Sequence, residues 1–252
     1  MPIKKNKTKI ILISLFLLAL ALVIFIIYTS QFTSFGYRAT APLRNFVNVG
    51  SSVYINKGYK NGMDTAASIA NEAKNRVKNY FGEIKSSPTV IICDDEETIK
   101  KLGGDHDTST VVFLKAYSYI VLSPEYLNVD ILAHELTHAE VHSRVYNGKL
   151  FYEQLMPVWF DEGVALQNDY REQYSGAAWS EATNNGSEIT DISAISGFDT
   201  FYTGEPKSQR YNYVISKHEL GNWISKNGKQ ALLGLLEKIN QGSLFDSVYY
   251  NT

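Results

Sequence analysis

Cysteine is almost missing from this sequence, and neither sign of charge is in excess. One cysteine, Cys93, occurs among 252 residues, which excludes an intramolecular disulfide framework and any multi-cysteine zinc or iron–sulfur site. The 24 basic and 26 acidic residues give a formal net charge of −2, so no basic surplus indicates a nucleic-acid partner. The 12 phenylalanines and 17 tyrosines are typical of a packed domain and not of a disordered chain.

Charge is also missing from one long stretch near the N-terminus. Residues 10–27 contain no charged residue and one polar residue, Ser14. As a helix this run spans about 27 Å, close to the thickness of a bilayer core. Four lysines precede the run within residues 1–9, and the next charge is Arg38. The positive-inside rule therefore predicts a cytoplasmic basic tail at 1–9, a transmembrane signal-anchor helix at 10–28 and an extracellular remainder.

A cleavable signal peptide is the alternative interpretation of the apolar run. The apolar region of such a peptide is usually about 7–15 residues long, and a small-x-small cleavage site follows it closely. The nearest triplet of this kind, residues 39–41, lies well beyond the run and precedes Pro42. The sequence therefore favours an uncleaved, single-pass anchor in the cell membrane.

The rest of the sequence predicts a linker followed by one α+β domain. Residues 29–41 are rich in serine, threonine and glycine and carry no periodic pattern, as in a linker. A helical pattern covers 63–81, and the pattern is helical from 129 almost to the end. Predicted strands cover 46–49, 53–55, 89–93, 110–114 and 119–122. We expect a single domain at 42–252, with a small β-sheet in its first half and a helical second half.

Residue types that bind zinc are concentrated in one predicted helix. Residues 134–138 read HELTH, and three of the five histidines fall within 134–142. Side chains four residues apart lie on one face of a helix, so His134 and His138 can bind one zinc ion through their imidazole nitrogens. Glu135, beside the first of these, can act as a general base toward a water molecule.

A catalytic zinc site needs a third protein ligand, and one candidate lies in the same helix. His142 continues the four-residue spacing, but it lies two turns from His134, which disfavours convergence on one ion. The third-histidine pattern of the metzincins is absent, because Val141 and Arg144 occupy its glycine and histidine positions.

Glu162 is the better candidate for the third ligand. It lies in MPVWFDEGVALQ, residues 156–167, which predicts a second helix that starts near Pro157. A second helix packed antiparallel to the first could bring this carboxylate to the metal.

HELTH followed by WFDEGVA resembles the gluzincin zinc metallopeptidases, in which a glutamate on a downstream helix completes HExxH. The WFDEG form resembles the membrane alanyl aminopeptidase catalytic domain and, more closely, the small bacterial peptidase-MA-like domains. The resemblance implies a zincin-like fold and a bound Zn²⁺ ion. It also implies that His134, His138 and Glu162 are the ligands and that Glu135 is the general base in peptide-bond hydrolysis. The longer spacing between the two motifs is interpreted as a loop around 147–149.

The resemblance covers about residues 45–250, and it implies a further catalytic residue within 189–224. In the family, a tyrosine of a later helix stabilises the oxyanion opposite the zinc ion. Tyr213 in YNYVIS matches that tyrosine. Tyr211 and His218 stay open as alternatives, because any donor that faces the zinc site could serve.

The sequence departs from the aminopeptidases in one respect. No GxMEN-like stretch precedes HELTH, so the resemblance does not imply aminopeptidase specificity. Residues 115–124 are interpreted either as an edge strand that pairs with an extended peptide or as an ordinary sheet strand. The sequence therefore predicts a membrane-anchored zinc peptidase that acts on a peptide or protein, and it leaves the oligomeric state open. The alternative is a catalytically silent zincin-fold surface module that binds a partner.

Overall fold

The computed structural model describes residues 3–59, 62–104, 108–114, 117–146, 148 and 155–251, and it leaves out the side chains of 3–8, 29–32, 108–114 and 117. Its first half contains α1 (Ile3–Phe32), α2 (Ser34–Ala39), β1 (Phe46–Gly50), β2 (Val53–Asn56), α3 (Met63–Phe81), β3 (Thr89–Ile92), α4 (Glu96–Lys101), β4 (Thr108–Leu114) and β5 (Tyr117–Leu122). Its second half contains α5 (Val129–Val145), α6 (Val158–Leu166), α7 (Gly176–Ala182), α8 (Phe198–Phe201), α9 (Pro206–Asn227), α10 (Lys229–Asn240) and α11 (Phe245–Tyr249). The predicted order of a small sheet followed by helices is confirmed, and the protein is mixed α and β.

The described strands form one sheet in the order β1-β2-β3-β5-β4. The β2–β3 and β3–β5 pairs are parallel, and the β1–β2 and β4–β5 pairs are antiparallel. Each strand lies within two residues of its predicted position. The described part of 115–124 holds β5, which pairs on both sides. The interpretation of this segment as an edge strand is therefore wrong, and the ordinary sheet strand is confirmed.

Successive residues of β3 face two different cores, as the two-residue repeat of a strand requires. Val90 and Ile92 belong to the larger core, which the sheet shares with α3 and α5. Ile91 belongs to the smaller core, where α4 contributes Ile99. Cys93 is fully buried in that smaller core, as a small apolar residue is expected to be.

α1 is longer than the predicted anchor and contains it. Among the described residues, α1 is the helix that is long and apolar enough to cross a membrane, over the stretch Lys9–Tyr28. The side chains of this stretch are exposed, and none of its best apolar window is buried inside the protein. Uniform apolarity without a buried face is typical of a helix surrounded by lipid.

The segment predicted to be a linker is helical and packs against the domain. The side chain of Thr33 caps α2 by accepting a hydrogen bond from the Gly36 backbone at 3.0 Å. Arg38 is buried, and its guanidinium donates to the Leu102 carbonyl at 2.6 Å. Gly103 has a φ of +75°, and a Cβ there would lie 2.7 Å from Arg38 Nη1. The absence of a periodic pattern in 29–41 was misleading, because contacts distant in sequence fix this segment.

Candidate metal centre

α5 carries the HELTH motif into the centre of the protein. Asn128 caps the helix, because its side chain accepts a hydrogen bond from the Ile131 backbone at 2.9 Å. Leu132 and Leu136 pack in the larger core, so the histidines lie on the face of the helix that points away from the sheet. The Nε2 atoms of His134 and His138 lie 3.1 Å apart. The four-residue spacing therefore brings the two imidazoles together as predicted.

α6 brings a buried carboxylate to these histidines. Pro157 is the cap residue before α6, so the second helix starts where the sequence predicts. A Cβ on Gly163 would lie 2.8 Å from the Ser216 carbonyl of α9, so the glycine of WFDEG permits close packing of α6 on α9. Glu162 is 4% exposed. Its Oε2 atom lies 3.3 Å from His134 Nε2 and 3.5 Å from His138 Nε2.

The three side chains fit a tetrahedral metal ion. Zinc bonds to histidine and carboxylate are about 2.0–2.2 Å long, which places tetrahedral ligand atoms about 3.3–3.6 Å apart. The three distances among the ligand atoms, 3.1, 3.3 and 3.5 Å, are close to this spacing. Glu162 Oε2 is buried and has no hydrogen-bond partner. Such an atom is costly to bury unless something binds it, so the group His134, His138 and Glu162 could hold a metal ion.

Two further carboxylates contact the other ring nitrogens of the histidines. Asp169 Oδ2 lies 3.5 Å from His134 Nδ1, and Asp161 Oδ2 lies 3.1 Å from His138 Nδ1. His134 Nδ1 has no hydrogen bond and is contacted by Asp169 only at ion-pair distance, whereas the closer carboxylate at His138 Nδ1 favours the tautomer in which Nε2 is free to bind a metal. Arg171 holds Asp169 through both carboxylate oxygens. Sequence reasoning missed Asp161 and Asp169, although Asp161 directly precedes the predicted ligand.

The histidines keep Glu162 in its ionised form. Burial alone would raise the pKa of Glu162, but the electrostatic attraction of His138 and His134 outweighs burial and lowers the pKa to about 2. Burial lowers the pKa of His138, and the negative charges of Asp161 and Glu162 outweigh it and raise that pKa. A carboxylate that stays ionised is the form that binds metal ions.

His142 takes part in a second group, with His138 and Asp161, that could hold a metal ion by spacing alone. His142 Nε2 lies 2.8 Å from Asp161 Oδ2. Asp161 Oδ2 is therefore already hydrogen-bonded, although Asp161 Oδ1, like Glu162 Oε2, is buried and has no hydrogen-bond partner. His138 would also have to turn its Nδ1 to the second ion. The first group is the better metal site, and His142 lies outside it.

Tyr202 is a site residue that sequence reasoning missed. Its hydroxyl donates a hydrogen bond to Glu162 Oε1, so the two oxygens of that carboxylate have different neighbours. Burial and the charge of Glu162 raise the pKa of Tyr202, which keeps the hydroxyl a donor. Tyr202 follows the short helix α8 and has no motif around it. Among 17 tyrosines, no sequence signal distinguishes it.

Tyr213 lies on α9, eight residues into the helix. Its ring packs 5.1 Å from Phe201 and 6.4 Å from Tyr202, between ring centroids. Burial raises the pKa of Tyr213, and the negative charges of Glu162 and Glu135 raise it further. The structure therefore places Tyr213 beside the group that includes Glu162.

The two alternatives to Tyr213 lie elsewhere. The Tyr211 hydroxyl donates to the Glu188 carbonyl at 3.0 Å and accepts from the Thr190 backbone at 2.9 Å, so it holds a surface turn. His218 stacks on Trp179 with ring centroids 3.8 Å apart. Both side chains have structural contacts outside the group.

Glu135 is 7% exposed and lies on α5 between the two histidines. Its charge reaches Tyr213, as the raised pKa of that tyrosine indicates. The predicted loop around 147–149 includes Asn147 and Lys149, which lie outside the described residues.

Comparison with known proteins adds no relative to this geometry. No protein-family model matches the chain, and a search of curated proteins finds no match.

Proposed function

We propose that this protein is a membrane-anchored zinc peptidase of the gluzincin type, with a zincin-like fold. His134, His138 and Glu162 bind the ion, and Glu135 is the general base. One observation carries the proposal most directly. Three ligand atoms from two helices lie within 3.5 Å of one another, and the carboxylate oxygen among them is buried without a partner.

The residues that surround the three proposed ligands support a catalytic site rather than a chance cluster of side chains. A carboxylate 3.1 Å from His138 Nδ1 and a tyrosine hydroxyl at Glu162 Oε1 orient two of the ligands, and the Asp169 carboxylate lies 3.5 Å from His134 Nδ1. Partners of this kind are typical of functional metal sites. A chance pair of surface histidines would have neither this burial nor these partners.

A zinc ion bound by these residues would lower the pKa of a water toward 7 and act as a Lewis acid toward the substrate carbonyl. Glu135 would accept a proton from the attacking water at its carboxylate and pass it to the leaving amine. Tyr213, a hydroxyl donor beside the carboxylates, would stabilise the developing oxyanion. The ring cluster around Tyr213 would exclude bulk water from the reacting atoms.

The first experiment combines metal content with turnover of a peptide library by the full chain. The parent should bind about one zinc ion per chain and cleave at least one peptide. Glu135→Gln should keep the zinc but lose about 10²–10⁴-fold in rate, and Tyr213→Phe should lose about 10²–10³-fold. Tyr211→Phe is the matched control, because its hydroxyl binds a surface turn.

Two outcomes would change the proposal. Parental turnover by a zinc-bound Glu135→Gln protein would disprove the assigned base. A parent that binds zinc and cleaves nothing would favour the catalytically silent module, which binds a partner through the same fold.

The orientation in the membrane is part of the proposal. Lysines flank the apolar run at 10–27 only on its N-terminal side, which supports a cytoplasmic N-terminus and an extracellular domain. Protease added to intact cells should digest the domain and leave residues 1–9 protected. A fully protected domain, or a mature N-terminus at residue 42, would disprove the signal-anchor topology.

A further inference from the structure

A cavity on the far side of α5 is separate from the metal centre. It has a volume of about 390 Å³ and lies between the β1–β2 turn, α3 and residues 84–88. Leu136 closes its inner end. Leu136 follows His134 by two residues, which is about 200° around a helix, so the cavity and the histidines lie on opposite faces of α5. Its volume falls within the range of small-molecule sites, about 300–1,000 Å³.

The inner surface of the cavity is apolar, whereas its rim is cationic. Buried Val77 and Leu136 and the more exposed Ile84 supply the apolar surface. Lys74 and Lys78 lie at the rim, one helical turn apart on α3. Like charges at this spacing destabilise a helix by a few tenths of a kcal/mol, about 0.2–0.5. No acidic side chain lines the cavity among the described residues.

The two lysines have no anionic partner in the part of the chain that the structure describes. Lys74 Nζ donates to the Ser51 carbonyl, and neither lysine forms an ion pair with a described carboxylate. Burial lowers the pKa of Lys74. A half-buried cation is stabilised by an anion, and serine hydroxyls that line the cavity add hydrogen-bond donors.

The walls of the cavity are held in place by unusual backbone and by buried hydrogen bonds. Ser51 and Ser52 have φ values of 48° and 64°, a left-handed conformation that costs non-glycine residues about 1–3 kcal/mol. On the opposite wall, Glu140 accepts hydrogen bonds from the Lys85 and Ser86 backbones at 2.8–3.1 Å. A preformed wall lowers the entropic cost of binding a ligand.

We infer that this cavity binds a small amphipathic anion, with the anionic group at Lys74 and Lys78 and a short aliphatic body against Val77, Ile84 and Leu136. The mixed lining distinguishes this ligand from two simpler ones. An inorganic anion would leave the apolar surface unused, and a neutral hydrocarbon would leave both cations unpaired. Carboxylate and phosphate groups share the required chemistry, so the test includes both.

The test is calorimetric titration of the full chain in nanodiscs, with empty nanodiscs subtracted for partition into lipid. The probes are octanoate, octyl phosphate, octylamine and acetate. Octanoate or octyl phosphate should bind at one site, with the tighter of the two identifying the anionic group, and octylamine and acetate should bind at least about tenfold more weakly.

Variants of the rim test the position of the anion. Lys74→Gln and Lys78→Gln should each weaken binding of the octyl anions about tenfold or more, the loss expected for one charged hydrogen bond. Lys78 is exposed, so its substitution should leave the fold intact even where that of Lys74 does not. Lys226→Gln is the control, because Lys226 is an exposed lysine on α9 away from the cavity.

The metal centre provides an independent check. Removal of metal by a chelator should leave octanoate affinity within about twofold, because α5 separates the two sites. Equal binding of octylamine and octanoate would overturn the inference. Anion binding unchanged by both rim variants, or absent for both octyl anions, would overturn it as well.

Discussion

The two faces of α5 both carry buried charge, but they neutralise it in different ways. On one face, Glu140 is fully buried and accepts hydrogen bonds from Arg144 Nε at 2.7 Å and from two backbone amides. On the other face, Glu162 meets His134 and His138, and one of its oxygens has no hydrogen-bond partner. Buried charge alone therefore does not indicate a functional site. The difference lies in whether the protein itself completes the hydrogen bonds.

The largest expected effect concerns the face of α5 that carries Glu140, where the protein itself completes the hydrogen bonds. Glu140→Ala should lower the free energy of unfolding by about 3–5 kcal/mol, because Arg144 and two amides lose a buried partner. Chemical denaturation followed by tryptophan fluorescence measures this loss. Zinc binding by the folded fraction should stay at one ion per chain. Loss of zinc at full stability would show that the two faces do not differ as described.

Glu162→Ala gives the complementary result. Removal of a ligand should weaken zinc binding by more than the factor of about 100 that marks the upper end for outer-shell residues. Stability without metal should fall by less than for Glu140→Ala, because Glu162 Oε2 has no hydrogen bond to lose and the Tyr202 hydroxyl loses one acceptor at Oε1. Competition with a chelator measures the affinity, and His142→Ala is the matched control. If His142 is essential for zinc and Glu162 is dispensable, the ligand assignment is wrong.

Asp169→Asn should have an intermediate effect. It keeps the shape of the side chain but weakens the acceptor at His134 Nδ1, which should lower zinc affinity by about 10–100-fold. Asp199→Asn is the control, because Asp199 is an exposed aspartate on α8. The same chelator competition applies, and parental affinity for the Asp169 variant would mean that the 3.5 Å contact does not orient the histidine.

Tyr202→Phe should have the smallest effect of the four. It removes one hydrogen bond to Glu162 Oε1 and leaves the aromatic packing intact. Loss of such a bond should lower zinc affinity about three- to tenfold. A loss equal to that of Glu162→Ala would indicate that Tyr202 is needed to place the ligand at all.

The sequence predicted those parts of the centre that depend on local geometry. His134 and His138 are four residues apart on one helix, so their convergence follows from helical periodicity. Pro157 and the apolar pattern after it were enough to predict where α6 begins. The strands were predicted within two residues, because short apolar runs end at clear turn signals.

The remaining parts depend on how elements pack. Tyr202 reaches Glu162 across 40 positions, and the interval between them has no regular spacing that a sequence pattern could use. Asp161 was visible beside Glu162, but the rotation of α6 against α5 decides whether its carboxylate meets His138. Arg38 donates a hydrogen bond to the carbonyl of Leu102, which is 64 residues away in the sequence. The local pattern of residues 29–41 therefore could not predict this contact.

Because α2 packs against the domain, the connection between the apolar helix α1 and the domain is short. Thr33 alone separates the end of α1 from the start of α2, and one residue spans at most about 3.6 Å. A flexible tether of the predicted length would instead let the domain range over tens of ångströms, about 20 Å on average. With α1 in a bilayer, the proposed peptidase would reach only a short distance from the membrane surface. It would select substrates by their height above the lipid surface, before any specificity of its cleft.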